Sequence, residues 1–349
     1  MRSLAFGLTL LSFTTVSAQA EPPGPPAPPE RIDLVLPAIE LRPGVTADIH
    51  LAIYDRASIP CRAGTVLAIH GAASTARSME PFALAALDHD EGRPVCRVIT
   101  MDLPGHGDGP APVGARLGEL GLSDYAAAVV GTLERLANRG VRPTTLVAHS
   151  MGGMVLQVAQ QSLVDAGASL FDTFGVRHAI LLAPAIPAEV PWFIRDVVGL
   201  AAFASFYADD PVAGEVLAMP AEVWPAVVFS TLQGVLASNA PSAEQIAASG
   251  WAALESWTAV SQLFDAAHTP PIDAGIFGKH SGTRLDIVAF SQDTIIGPAD
   301  LARLFTWLTG KAATGYGFLV IDHPDATHGV PQADPHGLLE AMSGNVPLP

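Results

Sequence analysis

Between Thr144 and Leu156 the chain passes from a β-rich apolar run, Thr144-Thr145-Leu146-Val147-Ala148, through His149 and Ser150 into the helically spaced Met151-Gly152-Gly153-Met154-Val155-Leu156. A strand that turns straight into a helix strains the backbone at the turn. It also crowds the positions two before and two after the turn residue, so both must be small. Those positions are Ala148 and Gly152. Alanine in place of glycine at the first is a mild departure, because a methyl group is the smallest side chain that still fits. Such a turn presents the Ser150 hydroxyl at the carboxyl end of a strand, where a nucleophile is useful.

The surrounding sequence supplies the frame that such a turn needs. Asp33–Leu41 and Ala47–Tyr54 are expected to form an antiparallel pair turned by Arg42-Pro43-Gly44. Thr65–Ile69, Val95–Met101, Thr145–Ala148, His178–Leu182, Leu285–Phe290 and Gly317–Ile321 read as short buried strands. Helical spacing falls between several of them, as in Ser123–Arg139, with Ser123 as N-cap and Gly140 as stop, and in Pro298–Thr309. The alternation predicts a mostly parallel sheet with helices on both faces. It lapses over 184–278, where helical stretches such as Phe193–Tyr207 and Ala243–Phe264 predict a helical cap inserted into a core formed by 31–183 and 279–349. Trp192, Trp224, Trp251 and Trp257 lie in that insert. They either pack within it or line an apolar substrate pocket.

The N-terminal residues fix the expected compartment. Arg2, the apolar run Leu4–Val16 and Ala18-Gln19-Ala20 predict a signal peptide over 1–20, cleaved after Ala20, and hence a periplasmic or secreted protein. The run is shorter than a spanning helix needs, so no stable membrane insertion is expected after cleavage. Residues 21–30, mostly proline, read as an extended spacer. Of the 349 residues, 49% are hydrophobic, enough to bury a large core, and the formal charge of -16 argues against a nucleic-acid partner. An oxidising compartment would let the two cysteines, Cys61 and Cys96, pair as a disulfide; two buried thiols are the other reading.

Three motifs in order, the Ser150 turn, Val66-Leu67-Ala68-Ile69-His70-Gly71-Ala72 and Thr100-Met101-Asp102-Leu103-Pro104-Gly105-His106-Gly107, resemble those of the α/β-hydrolase family over almost the whole mature chain. The resemblance implies an eight-stranded core with the cap after the sixth strand. It also implies a catalytic triad in the order Ser, acid, His, and an oxyanion hole from the N–H groups of Ala72 and Met151. Asp293, just past the strand after the cap, is the expected acid. Asp286 sits at the wrong end of that strand, and Asp300 falls within the next helix. His328, followed by Gly329, is the expected base, with His323 and then His336 as alternatives. His149 flanks the serine, His70 and His106 belong to the turn motifs, and His50, His89, His178, His268 and His280 are expected to be structural or exposed. No histidine pair has a zinc-binding spacing, so neither metal nor cofactor is implied. In the family the strand that follows Cys61 and the strand that Cys96 opens are parallel neighbours, which brings both thiols near the sheet edge opposite the active site.

The function so implied is hydrolysis of carboxylic esters through an acyl-enzyme, with a small-molecule ester carrying a medium-sized apolar acyl or alcohol group as the substrate partner. A lactonase, a cofactor-free haloperoxidase or perhydrolase, or a carbon-carbon bond hydrolase would use the same triad. Dehalogenases and epoxide hydrolases of the family use an aspartate nucleophile, against which Ser150 speaks. A secreted binding protein without catalysis is the reading from another class.

Overall fold

The computed structural model describes residues 29–56, 64–71, 74–89, 95–115, 120–186, 272–278, 283–293, 296–310 and 315–346. Residues 1–28, Cys61, Ala72 and nearly all of the expected cap, with Trp192, Trp224, Trp251 and Trp257, lie outside them.

All eight expected strands are present: β1 (Glu30–Arg42), β2 (Val45–Asp55), β3 (Thr65–Ile69), β4 (Arg97–Met101), β5 (Thr145–His149), β6 (His178–Leu182), β7 (Arg284–Phe290) and β8 (Tyr316–Ile321). They form one sheet in the order β1-β2-β4-β3-β5-β6-β7-β8. β1, β2 and β4 are antiparallel neighbours, and every pairing from β4 to β8 is parallel. Gly44, at φ +80°, closes the β1–β2 turn as the Pro-Gly pair predicts. β3, β5 and β6 are buried at every position, which is why they read as unbroken apolar runs rather than as alternating ones.

Among the described residues the α-helices are α1 (Glu80–Asp88), α2 (Leu122–Asn138), α3 (Met151–Asp165), α4 (Leu170–Phe174), α5 (Pro298–Thr309), α6 (Val330–Ala333) and α7 (Pro335–Met342). α1 packs with α6 and α7, whereas α2 packs with α3. Chain direction explains the two groups. The β3–α1–β4 crossover moves toward one edge of the sheet, and the β4–α2–β5 and β5–α3–β6 crossovers move toward the other. Right-handed crossovers in opposite directions put their helices on opposite faces. The chain therefore leaves β3 and its neighbour β5 toward opposite faces. The crevice outside their carboxyl ends is where ligand sites form in such sheets.

α2 begins one residue before the sequence reading has it. Its N-cap is Gly121, not Ser123, because the Asp124 carboxylate accepts a 2.8 Å hydrogen bond from the Gly121 N–H and anchors the first turn there. Asp124 also pairs with Arg42 of β1, tying the helix to the sheet edge. At the other end Gly140 takes the expected left-handed conformation, φ +75°. Among the described residues no helix is long and apolar enough to cross a membrane.

Candidate active site

Ser150 caps α3 with φ 52° and ψ -120°, a backbone conformation that a non-glycine residue adopts only where its surroundings force it. The forcing contacts can be named. The Ser150 N–H donates to Leu182 O at 3.0 Å, and Ser150 O accepts from Ala185 N at 2.9 Å, so β6 and its following loop grip the turn from both sides. A Cβ on Gly152 would lie 2.5 Å from His70 O and 2.8 Å from Ile69 O. A Cβ on Gly71 would lie 2.9 Å from Ser150 Cβ. The close approach of the β3 and β5 ends is therefore what requires glycine at both places.

The expected acid and base converge on this serine. His328 Nε2 lies 2.8 Å from Ser150 Oγ, and His328 Nδ1 lies 2.7 Å from Asp293 Oδ2. Asp293 follows β7 and His328 sits in the loop after β8, so three strand ends of one sheet edge each contribute a group. The Asp293 side chain is wholly buried, and its Oδ1 accepts from Ile296 N at 2.9 Å. With the carboxylate accepting from Nδ1–H, the other ring nitrogen of His328 presents a lone pair to the serine hydroxyl.

The alternatives fall elsewhere. His323 is exposed and pairs with Asp325, and His336 is exposed on α7. Asp286 is buried at the far end of β7 against His178, 2.5 Å away, and Arg284. Asp300 lies in the first turn of α5, beside Arg303. Of the two N–H groups expected to form an oxyanion hole, Met151 N opens α3, where the first N–H groups of a helix have no partner within it. Ala72 is outside the described residues.

Three further histidines frame the site. His70 is fully buried; its Nδ1–H donates to Gly71 O at 2.7 Å, and its Nε2 accepts from Leu103 N at 3.1 Å, which locks the loops after β3 and β4 together. Burial holds its pKa below the ordinary value. Burial, with help from the neighbouring His70, pushes His106 down to about 3. His149 reaches from the end of β5 to the His328 carbonyl, 2.8 Å from its Nε2. Sequence placed His149 beside the serine but gave no sign of this contact, since the two partners are far apart along the chain.

Asp102 anchors the same edge. Its Oδ1 accepts from Ala76 N at 2.6 Å, and its Oδ2 accepts from Asp108 N at 3.2 Å and from His50 Nδ1 at 2.8 Å. His50, Asp102 and Asp108 bring potential metal-ligand atoms within 4.8 Å of one another, but the Nδ1 of His50 is already spent on Asp102.

Comparison with known proteins agrees with this architecture. No curated protein matches the chain. Among solved structures, the thioesterase domain from the curacin biosynthetic pathway is 16% identical, covering 89% of this chain and 98% of that one, with a TM-score of 0.53. A thermophilic esterase from Thermogutta terrifontis is 18% identical, with 90% and 96% covered and a TM-score of 0.53. A laboratory-evolved variant of potato epoxide hydrolase is 15% identical, with 90% and 98% covered and a TM-score of 0.59. At such identities these three share the fold and establish nothing finer. The model of the alpha/beta hydrolase family matches residues 66–341, which span β3 to α7 and every group of the site. The chain therefore belongs to the alpha/beta hydrolase family.

Proposed function

We propose that the protein is a serine hydrolase of carboxylic esters, working through an acyl-enzyme on Ser150. The observation that carries this reading is the continuous hydrogen-bond chain from Ser150 Oγ through His328 to the buried Asp293. In the proposed reaction His328 Nε2 takes the Ser150 proton as Oγ attacks the ester carbonyl carbon. Asp293 holds the Nδ1–H tautomer and stabilises the imidazolium. The oxyanion is received by the N–H groups of Met151 and Ala72; loss of one such donor elsewhere costs about 3 kcal/mol. His328 then protonates the departing alcohol, and water, deprotonated by the same ring, releases the acid. No step needs a cofactor.

The strained Ser150 backbone supports the same reading, because a conformation this costly is expected where it serves a reaction. The insert over 184–278 is proposed to be a helical cap, with Trp192, Trp224, Trp251 and Trp257 proposed to line an apolar substrate pocket. Residues 1–20 are proposed to direct the chain to the periplasm or outside the cell, where it would work as a released protein.

The test is a panel of aryl and alkyl esters of graded chain length, with lactones and amides alongside, assayed with the wild type and Ser150→Ala. Ester turnover that falls at least about a thousandfold in Ser150→Ala supports the reading. Turnover that survives the substitution, or confinement of activity to lactones or amides, contradicts it.

A further inference from the structure

The proposed nucleophile and base stand on unequal foundations. Ser150 follows β5, a central strand buried at all its positions. His328 sits in the irregular loop after β8, an edge strand, and the Asp322-His323-Pro324-Asp325 part of that loop is exposed. Such loops are the less stable parts of a fold. Yet a base must be held to within about half an ångström of its working place.

His149 spans the gap. It is the last residue of β5, adjacent to Ser150, and is buried. Its Nε2 lies 2.8 Å from His328 O, and its ring packs against the His328 ring with centroids 4.9 Å apart. Behind it the Gln332 side-chain amide of α6 lies 3.4 Å from His149 Nδ1 and 3.5 Å from Met79 Sδ. An amide N–H donated to Nδ1 leaves the ring proton on Nε2, where it can donate only to the His328 carbonyl. The base is thus held twice, at its ring by Asp293 and at its main chain by His149.

We propose that His149 is a positioning residue for the base: through its Nε2–H bond to the His328 carbonyl, with Gln332 fixing the tautomer, it sets the distance between His328 and Ser150. This rests on the reading of Ser150, His328 and Asp293 as a catalytic triad. The ring suits the place for a second reason. Burial, followed by the nearness of His328, pushes its pKa down to about 3. It therefore stays neutral while His328 becomes positive during turnover, and it adds no repulsion to that step.

Three single variants of the full chain and one double variant test this with one ester substrate. His149→Phe keeps the ring and loses the donor; kcat should fall about ten- to a hundredfold with KM within about twofold of wild type, as misplacement of a catalytic group does. His149→Gln carries an amide N–H able to reach the same carbonyl and should recover most of the loss. Gln332→Leu should show the same kcat-only signature at smaller size. Combined with His149→Phe it should add nothing, since both act through one hydrogen bond.

A His149→Phe enzyme with kcat within twofold of wild type overturns the proposal. So do equal losses in the Phe and Gln variants, which would mean packing rather than donation, and so does additivity with Gln332→Leu. Should His149→Phe fail to fold, Gln332→Leu decides alone: a loss in kcat at constant KM supports the proposal, and an unchanged kcat overturns it. Ser150→Ala, assayed beside them, separates the two levels of failure. Activity retained there refutes the triad itself, whereas an inactive Ser150→Ala beside an undiminished His149→Phe refutes only the positioning role.

Discussion

At the scale of single residues, the site turns on which histidine can reach the serine. His323 is nearer the end of β8 in sequence, yet its ring is exposed and faces Asp325, while His328 lies between Ser150 and Asp293. His328→Ala should therefore abolish turnover nearly as fully as Ser150→Ala, because the members of such a unit do not contribute independently. His323→Ala should leave kcat/KM within about twofold, since no atom of the serine or the buried acid depends on it. Steady-state kinetics of both variants on one ester check the ranking, and the reverse order would move the base to His323. The turn at Ser150 was legible because the small residues around it follow from backbone crowding, which is local, whereas Asp293 and His328, which the structure brings to Ser150, were reached through the chain order that the family resemblance implies. The role of His149 was not, because it depends on where an edge-strand loop lands relative to β5.

At the scale of elements, Asp102 and His50 couple the loops around the site to the antiparallel end of the sheet. The Asp102 hydrogen bond raises the His50 pKa against a smaller opposing effect of burial, with Asp108 and Asp33 adding to the rise. Burial by itself would raise the Asp102 pKa. The His50 hydrogen bond, the His70 ring and the Ala76 N–H together outweigh it and leave the pKa below the ordinary value. A raised histidine pKa stabilises the fold fully below its ordinary value of 6.5, and that contribution is lost as pH rises through the raised one. A depressed carboxylate pKa stabilises above 3.8, and that contribution is lost as pH falls through the depressed one. His50→Gln should thus cost about 1.5 to 3 kcal/mol between those two values, with the difference from wild type shrinking on either side. Denaturant titrations at pH 5 and pH 9 check this, and a difference that is constant with pH contradicts it. The strands were legible because buried parallel strands and a Pro-Gly hairpin carry local signatures. The start of α2 was misplaced by one residue because the Asp124 carboxylate, not the Ser123 hydroxyl, satisfies the first turn. The short α4 and α6 carry too few residues for any periodicity to register.

At the scale of the whole molecule, the shared direction of the parallel strands puts the proposed chemistry and the proposed disulfide at opposite edges of one sheet. Cys96 is buried just before β4 at the amino-terminal edge, 3.3 Å from Gly64 O, and the serine turn occupies the carboxyl edge. Cys61 lies outside the described residues, so its pairing with Cys96 remains a proposal. Closing that loop would stabilise by about 4 kcal/mol in the chain-entropy model. A Cys61→Ser, Cys96→Ser double variant should therefore melt several degrees lower with kcat unchanged, and peptide mapping without reductant should find the pair linked. Free thiols in the native protein would refute the bridge. The central claim, that Ser150 is a nucleophile activated by His328, is tested most directly by labelling the intact protein with a fluorophosphonate and locating the adduct by peptide mass spectrometry. The account predicts one adduct per chain, on Ser150, formed at least about a hundredfold more slowly in His328→Ala. An adduct on another residue, or labelling of Ser150 at an undiminished rate without His328, would contradict it.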